Sequence, residues 1–164
     1  MFICISCSDE KIFDSNTFKF QDSIMYYQGV PFTGRMIRFN GRIKKNIPYR
    51  FGKVHGEEQH FYEDGSLYKQ RFYKDGLAIG KHRIFYPDGS LKKEMFFVND
   101  MLDGDYTEFY PDGKVYIYKL YEKGMALGHK QWRKNGQIFA NVVYKDGKRY
   151  GLYGGKLCND IEDL

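Results

Sequence analysis

Three cysteines, four prolines and one tryptophan are all that the 164 residues contain of these types. So few cysteines, and an odd number of them, exclude a disulfide framework. Scarce proline excludes a polyproline or collagen-like chain. No apolar run reaches the ~20 residues that a membrane-crossing helix needs, and no stretch shows a convincing helical period. Charge is close to balanced, with 26 basic and 21 acidic residues and a net charge of +5. That excess permits weak attraction to acidic or membrane surfaces and does not argue for nucleic-acid binding. What the chain has in quantity is 18 glycines, 15 tyrosines and 14 phenylalanines. Aromatics for strands and glycines for turns make a hairpin composition.

The glycines are periodic. Gly34, Gly56, Gly80, Gly104, Gly128 and Gly151 recur every 22 to 24 residues and open successive units. Inside each unit lies a second glycine, Gly41, Gly65, Gly89, Gly113 or Gly136, preceded by Asn40, Asp64, Asp88, Asp112 or Asn135. Asn-Gly and Asp-Gly are strong hairpin signals, because these residues tolerate the positive φ of tight turns. Phe61, Phe85, Phe109 and Trp132 precede the inner glycine in one column. Tyr62, Tyr86 and Tyr110 form the next column, which Arg133 breaks. Leu67, Leu91, Val115 and Ile138 follow the glycine, and Phe72, Phe96, Leu120 and Val143 come five residues later. A second turn, Asp75-Gly76, Asn99-Asp100, Lys123-Gly124 or Asp146-Gly147, closes each unit. Repeats of this length mark an array of stacked supersecondary units.

These columns predict an all-β fold: an extended, twisted, single-layer antiparallel meander of tandem β-hairpin repeats of about 23–24 residues. Five units and a leading half unit give roughly ten or eleven strands. Side chains alternate between faces along a strand, so columns five residues apart point to opposite faces unless a bulge intervenes. Either a bulge is present or both faces carry apolar groups, and rows of stacked side chains replace a compact core.

The pattern Gly-x4-Phe-Tyr-x-Asp-Gly-x-Leu-x4-Phe-Tyr-x-Asp-Gly-x3-Gly resembles the variant MORN repeat of bacterial proteins. The resemblance covers roughly Ile24 to Gly151. It implies the repeat fold and carries little about activity. Proteins of this kind are often labelled antitoxins of toxin–antitoxin systems, so the resemblance also implies an antitoxin that neutralises a toxin by direct binding.

The array is expected over residues 23–155, between an N-terminal tail of 1–22 and a C-terminal tail of 156–164. Asp9 to Asp22 is polar and is expected to be loosely ordered. Met1 to Ser6 followed by Cys7 resembles the end of a bacterial lipoprotein signal, with Ser6 as the small residue and Cys4 where leucine is usual. A working signal also needs a basic region and an apolar run of at least ~7 residues. Lipidation at Cys7, and with it a cell-envelope location, therefore requires a start further upstream. The alternative is a cytoplasmic chain in which Cys4 and Cys7 are incidental. Cys4-x-x-Cys7 lacks the βαβ context of a redox motif and the second ligand pair of a zinc site.

No catalytic, cofactor or metal constellation is evident. His82 and His129 share a repeat column, counted back from the inner glycine, but lie two units apart, roughly 20 Å at two strands per unit. His55, His60, His82 and His129 are each expected on a strand surface. Glu57, Glu58, Glu94 and Glu108 are carboxylate candidates for acid–base work, but they occupy different columns and no serine–histidine–acid spacing stands out. The basic cluster Arg35, Arg38, Arg42, Lys44, Lys45, Arg50 and Lys53 reads as a solvated strand face. The expected function is non-enzymatic: an interaction module holding an unidentified protein partner, with no nucleic acid and no cofactor. Partner-binding candidates are Trp132, Arg133 and Lys134, where the fifth unit departs from its siblings. Trp and Arg are enriched at binding hot spots. For Trp132 the plainer reading is that it fills the framework column of Phe61, Phe85 and Phe109.

Overall fold

The structure is a computed structural model that describes residues 10–154 and 156–158. Cys4 and Cys7 lie outside the described residues. No helix occurs among the described residues, and none is long and apolar enough to cross a membrane. The chain divides into two compact units, Met1–Leu77 and Ala78–Leu164.

The first unit holds β1 (Glu10–Ile12), β2 (Phe18–Gln21), β3 (Ile24–Tyr27), β4 (Val30–Pro31), β5 (Gly34–Asn40), β6 (Ile43–Arg50), β7 (Lys53–Val54), β8 (Gly56–Phe61) and β9 (Leu67–Lys74). Two sheets form. One is the hairpin series β2-β3-β4, and the other runs β1-β5-β6-β8-β9, with β7 also pairing β6. β1 joins β5 in parallel, pairing Glu10 with Arg35 and Ile12 with Ile37. The expectation that Asp9 to Asp22 is loosely ordered is therefore corrected: β1 and β2 both lie in that stretch. Its apolar residues explain the difference. Phe18 is buried with Met25, Phe32, Met36 and Tyr49 in a core that Phe13, Tyr27, Ile47 and Val54 pack against. Phe18 meets the Phe32 ring edge-on at 5.2 Å and the Tyr27 ring at 4.8 Å. Here the rows of the meander are supplemented by a small compact core, which the repeat pattern alone did not foretell. Most of the basic cluster is solvated as expected: Arg38, Arg42, Lys44, Arg50 and Lys53 are exposed.

The second unit is one sheet in chain order: β10 (Leu77–Phe85), β11 (Leu91–Val98), β12 (Met101–Phe109), β13 (Val115–Glu122), β14 (Met125–Trp132), β15 (Ile138–Lys145), β16 (Lys148–Tyr153) and β17 (Lys156–Cys158). The ladders from β10 to β17 are antiparallel. The seventeen described strands exceed the ten or eleven expected. The excess comes from short strands, including β1, β2 and β17, in stretches read as tails.

The two turns of a repeat differ. At the closing turns both residues have positive φ, as at Asn99 and Asp100 (47° and 67°) or Lys123 and Gly124 (48° and 84°). These are two-residue turns of the primed type, whose twist suits a hairpin. At the inner turns only the glycine is positive, as at Gly89 (83°). There Gly89 N–H donates to Tyr86 O and Tyr86 N–H to Ser90 O, both at 2.9 Å. This is a type I turn followed by a glycine bulge. The aspartate caps it: Asp88 Oδ1 accepts from Ser90 N at 2.9 Å and from Ser90 Oγ at 2.6 Å. The same cap recurs at Asp64–Ser66 and Asn135–Gln137.

Candidate functional site: the two faces of the second unit

Register fixes what each face of the second unit carries. His82 opposes Met95, Tyr106 opposes both Met95 and Lys119, and His129 opposes both Lys119 and Val142. These residues share one face, called here the polar-aromatic face. Lys81 opposes Phe96, Asp105 opposes Leu120, and Gly128 opposes Val143 on the other face. Register shifts interrupt β11–β12 and β13–β14 between these columns. Both alternatives left open by the five-residue spacing are therefore realised: bulges are present, and both faces carry apolar groups.

The polar-aromatic face is a network at its start. Lys93 Nζ lies 3.0 Å from Glu108 Oε1, and the Tyr106 hydroxyl donates to the same oxygen. The Lys93 and Lys119 ammonium groups sit 5.2 and 5.3 Å from the Tyr106 ring centre, within cation–π range. Burial pushes the Glu108 carboxyl up, but the Tyr106 and Lys93 hydrogen bonds and the charges of Lys93 and Lys119 hold it below its ordinary range. Further along, the face changes character. His129 lies between Tyr144 and Tyr153, at 6.0 and 6.4 Å between ring centres, and its Nδ1 is 3.2 Å from the Tyr144 hydroxyl. Burial, then the charges of Lys119 and Arg149, hold its imidazole below the ordinary histidine range.

The opposite face shows an apolar row. Phe96, Leu120 and Val143 stand one per repeat and remain 39%, 39% and 59% exposed. Between the last two lies an open hollow of about 330 Å³, lined by Tyr118, Leu120, Leu127, Lys130, Asn141 and Val143 among others.

The sequence candidates fall at the inner turn of the last repeat. Trp132 is half-buried and opposes Ile138 as Phe109 opposes Val115, so it occupies the framework column. Arg133 and Lys134 are exposed. The Arg133 guanidinium lies 5.3 Å from the Phe139 ring centre and the Lys134 ammonium 5.9 Å from that of Tyr110.

Two histidine expectations are corrected. His60 and His82 are not surface residues but 6% and 4% exposed. His82 lies against the Phe97 ring, 4.5 Å between centres. His60, in the first unit, meets Glu58 at 2.5 Å, so Glu58 has the partner its column did not reveal. Burial pushes the Glu58 carboxyl up. The His60 hydrogen bond and charge, the Arg71 charge and the Tyr73 hydroxyl outweigh this and hold it below its ordinary value. Residues i and i+2 of a strand share a face, which is the signal that could have found this pair. Among the described residues no three His, Cys, Asp or Glu side chains gather where they could hold a metal.

Two short strands joined by a turn, repeated along one sheet, define a tandem β-hairpin repeat protein. The MORN repeat variant family matches residues 54–75, 79–99 and 102–123. Residues 54–123 thus carry three consecutive variant MORN repeats. No curated protein matches the chain significantly. The repeats suggest an interaction or membrane-binding module.

Proposed function

We propose that the chain is a non-enzymatic protein-interaction module whose second unit holds a protein partner. The observation that carries this reading is the row Phe96, Leu120 and Val143. An exposed apolar row, repeated at each unit on one face of a single sheet, marks a surface that another molecule covers. Lys130 borders the hollow between Leu120 and Val143. The partner surface it fits is therefore an apolar stripe edged by acidic groups. Arg133 and Lys134 extend the same contact along the exposed turn, while Trp132 belongs to the framework.

Capture from source cells with quantitative mass spectrometry tests this. The parent is compared with Leu120→Ser/Val143→Ser and with Arg133→Ala/Lys134→Ala. The expected result is one partner enriched by the parent, strongly reduced by the first variant and weakened by the second, at nearly unchanged thermal midpoints. Equal capture by all three would remove these surfaces from the reading.

The resemblance to bacterial repeat proteins favours one particular partner, a toxin encoded beside this chain; reading the neighbouring genes tests that. The exposed apolar row and the net charge of +5 favour a second reading, peripheral membrane binding, for which co-sedimentation with anionic vesicles is the test. An envelope tether through Cys7 belongs to the proposal if the coding frame extends upstream with a basic, apolar segment.

A further inference from the structure

The polar-aromatic face of the second unit ends in a feature that the apolar row does not explain. Three basic side chains converge there from three strands: Lys119 on β13, His129 on β14 and Arg149 on β16. Among the described residues no carboxylate pairs with Lys119 or Arg149. Glu108 on this face, whose carboxyl the Lys119 charge also reaches, is engaged at short range by Lys93 and Tyr106. Arg149 is also out of column. It opposes Tyr144 where Leu102 opposes Phe97 and Ala126 opposes Tyr121. The last repeat thus places a cation where its siblings place an apolar residue.

A hollow of about 140 Å³ adjoins this cluster, lined by Ile117, Lys119, Tyr121, Ala126, His129 and Tyr144. It is well below the ~300–1,000 Å³ of pockets for drug-sized ligands, so it suits one short side chain. Its walls are mixed: Ile117, Ala126 and the Tyr121 ring are apolar, while Lys119, His129 and the Tyr144 hydroxyl can each offer a donor.

We infer that this hollow takes the carboxylate of an acidic side chain from a bound peptide. The methylenes lie against Ile117, Ala126 and Tyr121, and the carboxylate meets Lys119 and His129 with Arg149 at the rim. An anion there offsets the like charges of Lys119 and Arg149, and it would favour the protonated His129 ring. A membrane surface fits less well, because the exposed Phe96, Leu120 and Val143 lie on the opposite face. The inference rests on the protein-interaction reading and adds to it a second contact, on the face opposite the apolar row.

The test follows the ring signals of His129 by NMR in the full chain at low salt. The probe is acetylated, amidated tetraglutamate, with tetraglutamine, inorganic phosphate and phosphatidylserine-containing vesicles as comparators. The expected result is a saturable His129 shift with tetraglutamate and an upward move of its titration midpoint, with no response to tetraglutamine. The shift is expected to weaken severalfold in Lys119→Gln/Arg149→Gln, or in each single variant should the double variant lose its dispersed amide spectrum. No His129 response to tetraglutamate would overturn the inference. So would an undiminished response in the folded variants, or tighter binding of phosphate or vesicles than of tetraglutamate. Failure here with continued dependence of capture on Leu120 and Val143 would discard the pocket and keep the interaction module; loss of both would discard the module.

Discussion

The Tyr86 hydroxyl donates to the backbone carbonyl of Phe109, 2.9 Å away and one full repeat along the chain. Tyr110 does the same to Trp132, also at 2.9 Å. Within the second unit the tyrosine column therefore staples one repeat to the next at two successive steps, and Trp132 receives the staple as its framework predecessor does. Removing only the oxygen isolates this contribution. Tyr86→Phe and Tyr110→Phe are each expected to lower stability by about 0.5–1.5 kcal/mol, the net worth of one hydrogen bond. Urea denaturation of each variant checks this; no change in either would mean that the ring alone accounts for the column.

The Glu58–His60 pair gives the first unit an acid sensitivity. The Glu58 carboxyl is held below its ordinary value in the folded chain. A depressed folded value means the contribution is fully present above the unfolded value and is lost as pH falls through the folded one. Thermal midpoints measured from about pH 7 to pH 3 should therefore decline at the acid end. Glu58→Gln should lose about 1–3 kcal/mol at neutral pH, because it strips partners from a buried network. It should also show a shallower acid decline than the parent. An identical acid slope in both proteins would show that Glu58 is not the sensor.

Two glycines are required for different reasons. Gly124 has φ of +84°, and a Cβ there would meet only Met101 at 3.9 Å, an ordinary contact. Gly124→Val should thus cost on the order of 1–2 kcal/mol from the left-handed backbone alone. Gly128 has no such φ, but a Cβ there would strike the Val142 carbonyl oxygen, which is part of the neighbouring strand's backbone. Gly128→Ala is accordingly expected to be the more damaging of the two, despite the smaller side chain. Equal midpoints in thermal melts of both variants would contradict this separation of conformational from steric need.

Much of this was legible in the sequence, for a physical reason. A repeat writes the same turn chemistry and the same strand periodicity several times, so the columns identified the hairpins, and Gly76, Gly124 and Gly147 have the positive φ expected of closing turns. The difference between the two turns was not legible, because Asp-Gly serves both. The fate of Phe13 and Phe18 was missed because two aromatics in a polar stretch show no period, yet Phe18 enters a core with Met25, Phe32, Met36 and Tyr49. The burial of His60 and His82 was missed because exposure depends on the neighbouring strands' long side chains. The Lys119–His129–Arg149 cluster needed the register: these residues lie in three different columns and meet only when β13 to β16 are paired.

Contacts in the second unit run between chain-adjacent strands from β10 to β17. Such arrays approximate a sum of repeat stabilities and neighbour interfaces. Deleting Gly80 to Asp103, one whole repeat, should leave a shorter sheet that still shows β-structure by circular dichroism and a cooperative melt. Complete loss of β-structure would argue for a closed core in place of modular repeats.

Hydroxyl-radical footprinting of the chain, alone and with its captured partner, tests the interaction reading most directly, because it reports side-chain exposure residue by residue. The account predicts that Phe96, Leu120 and Val143 lose reactivity together in the complex, while Phe39, 60% exposed in the first unit, stays reactive. Undiminished labelling of all three row residues in a partner-saturated complex would contradict it.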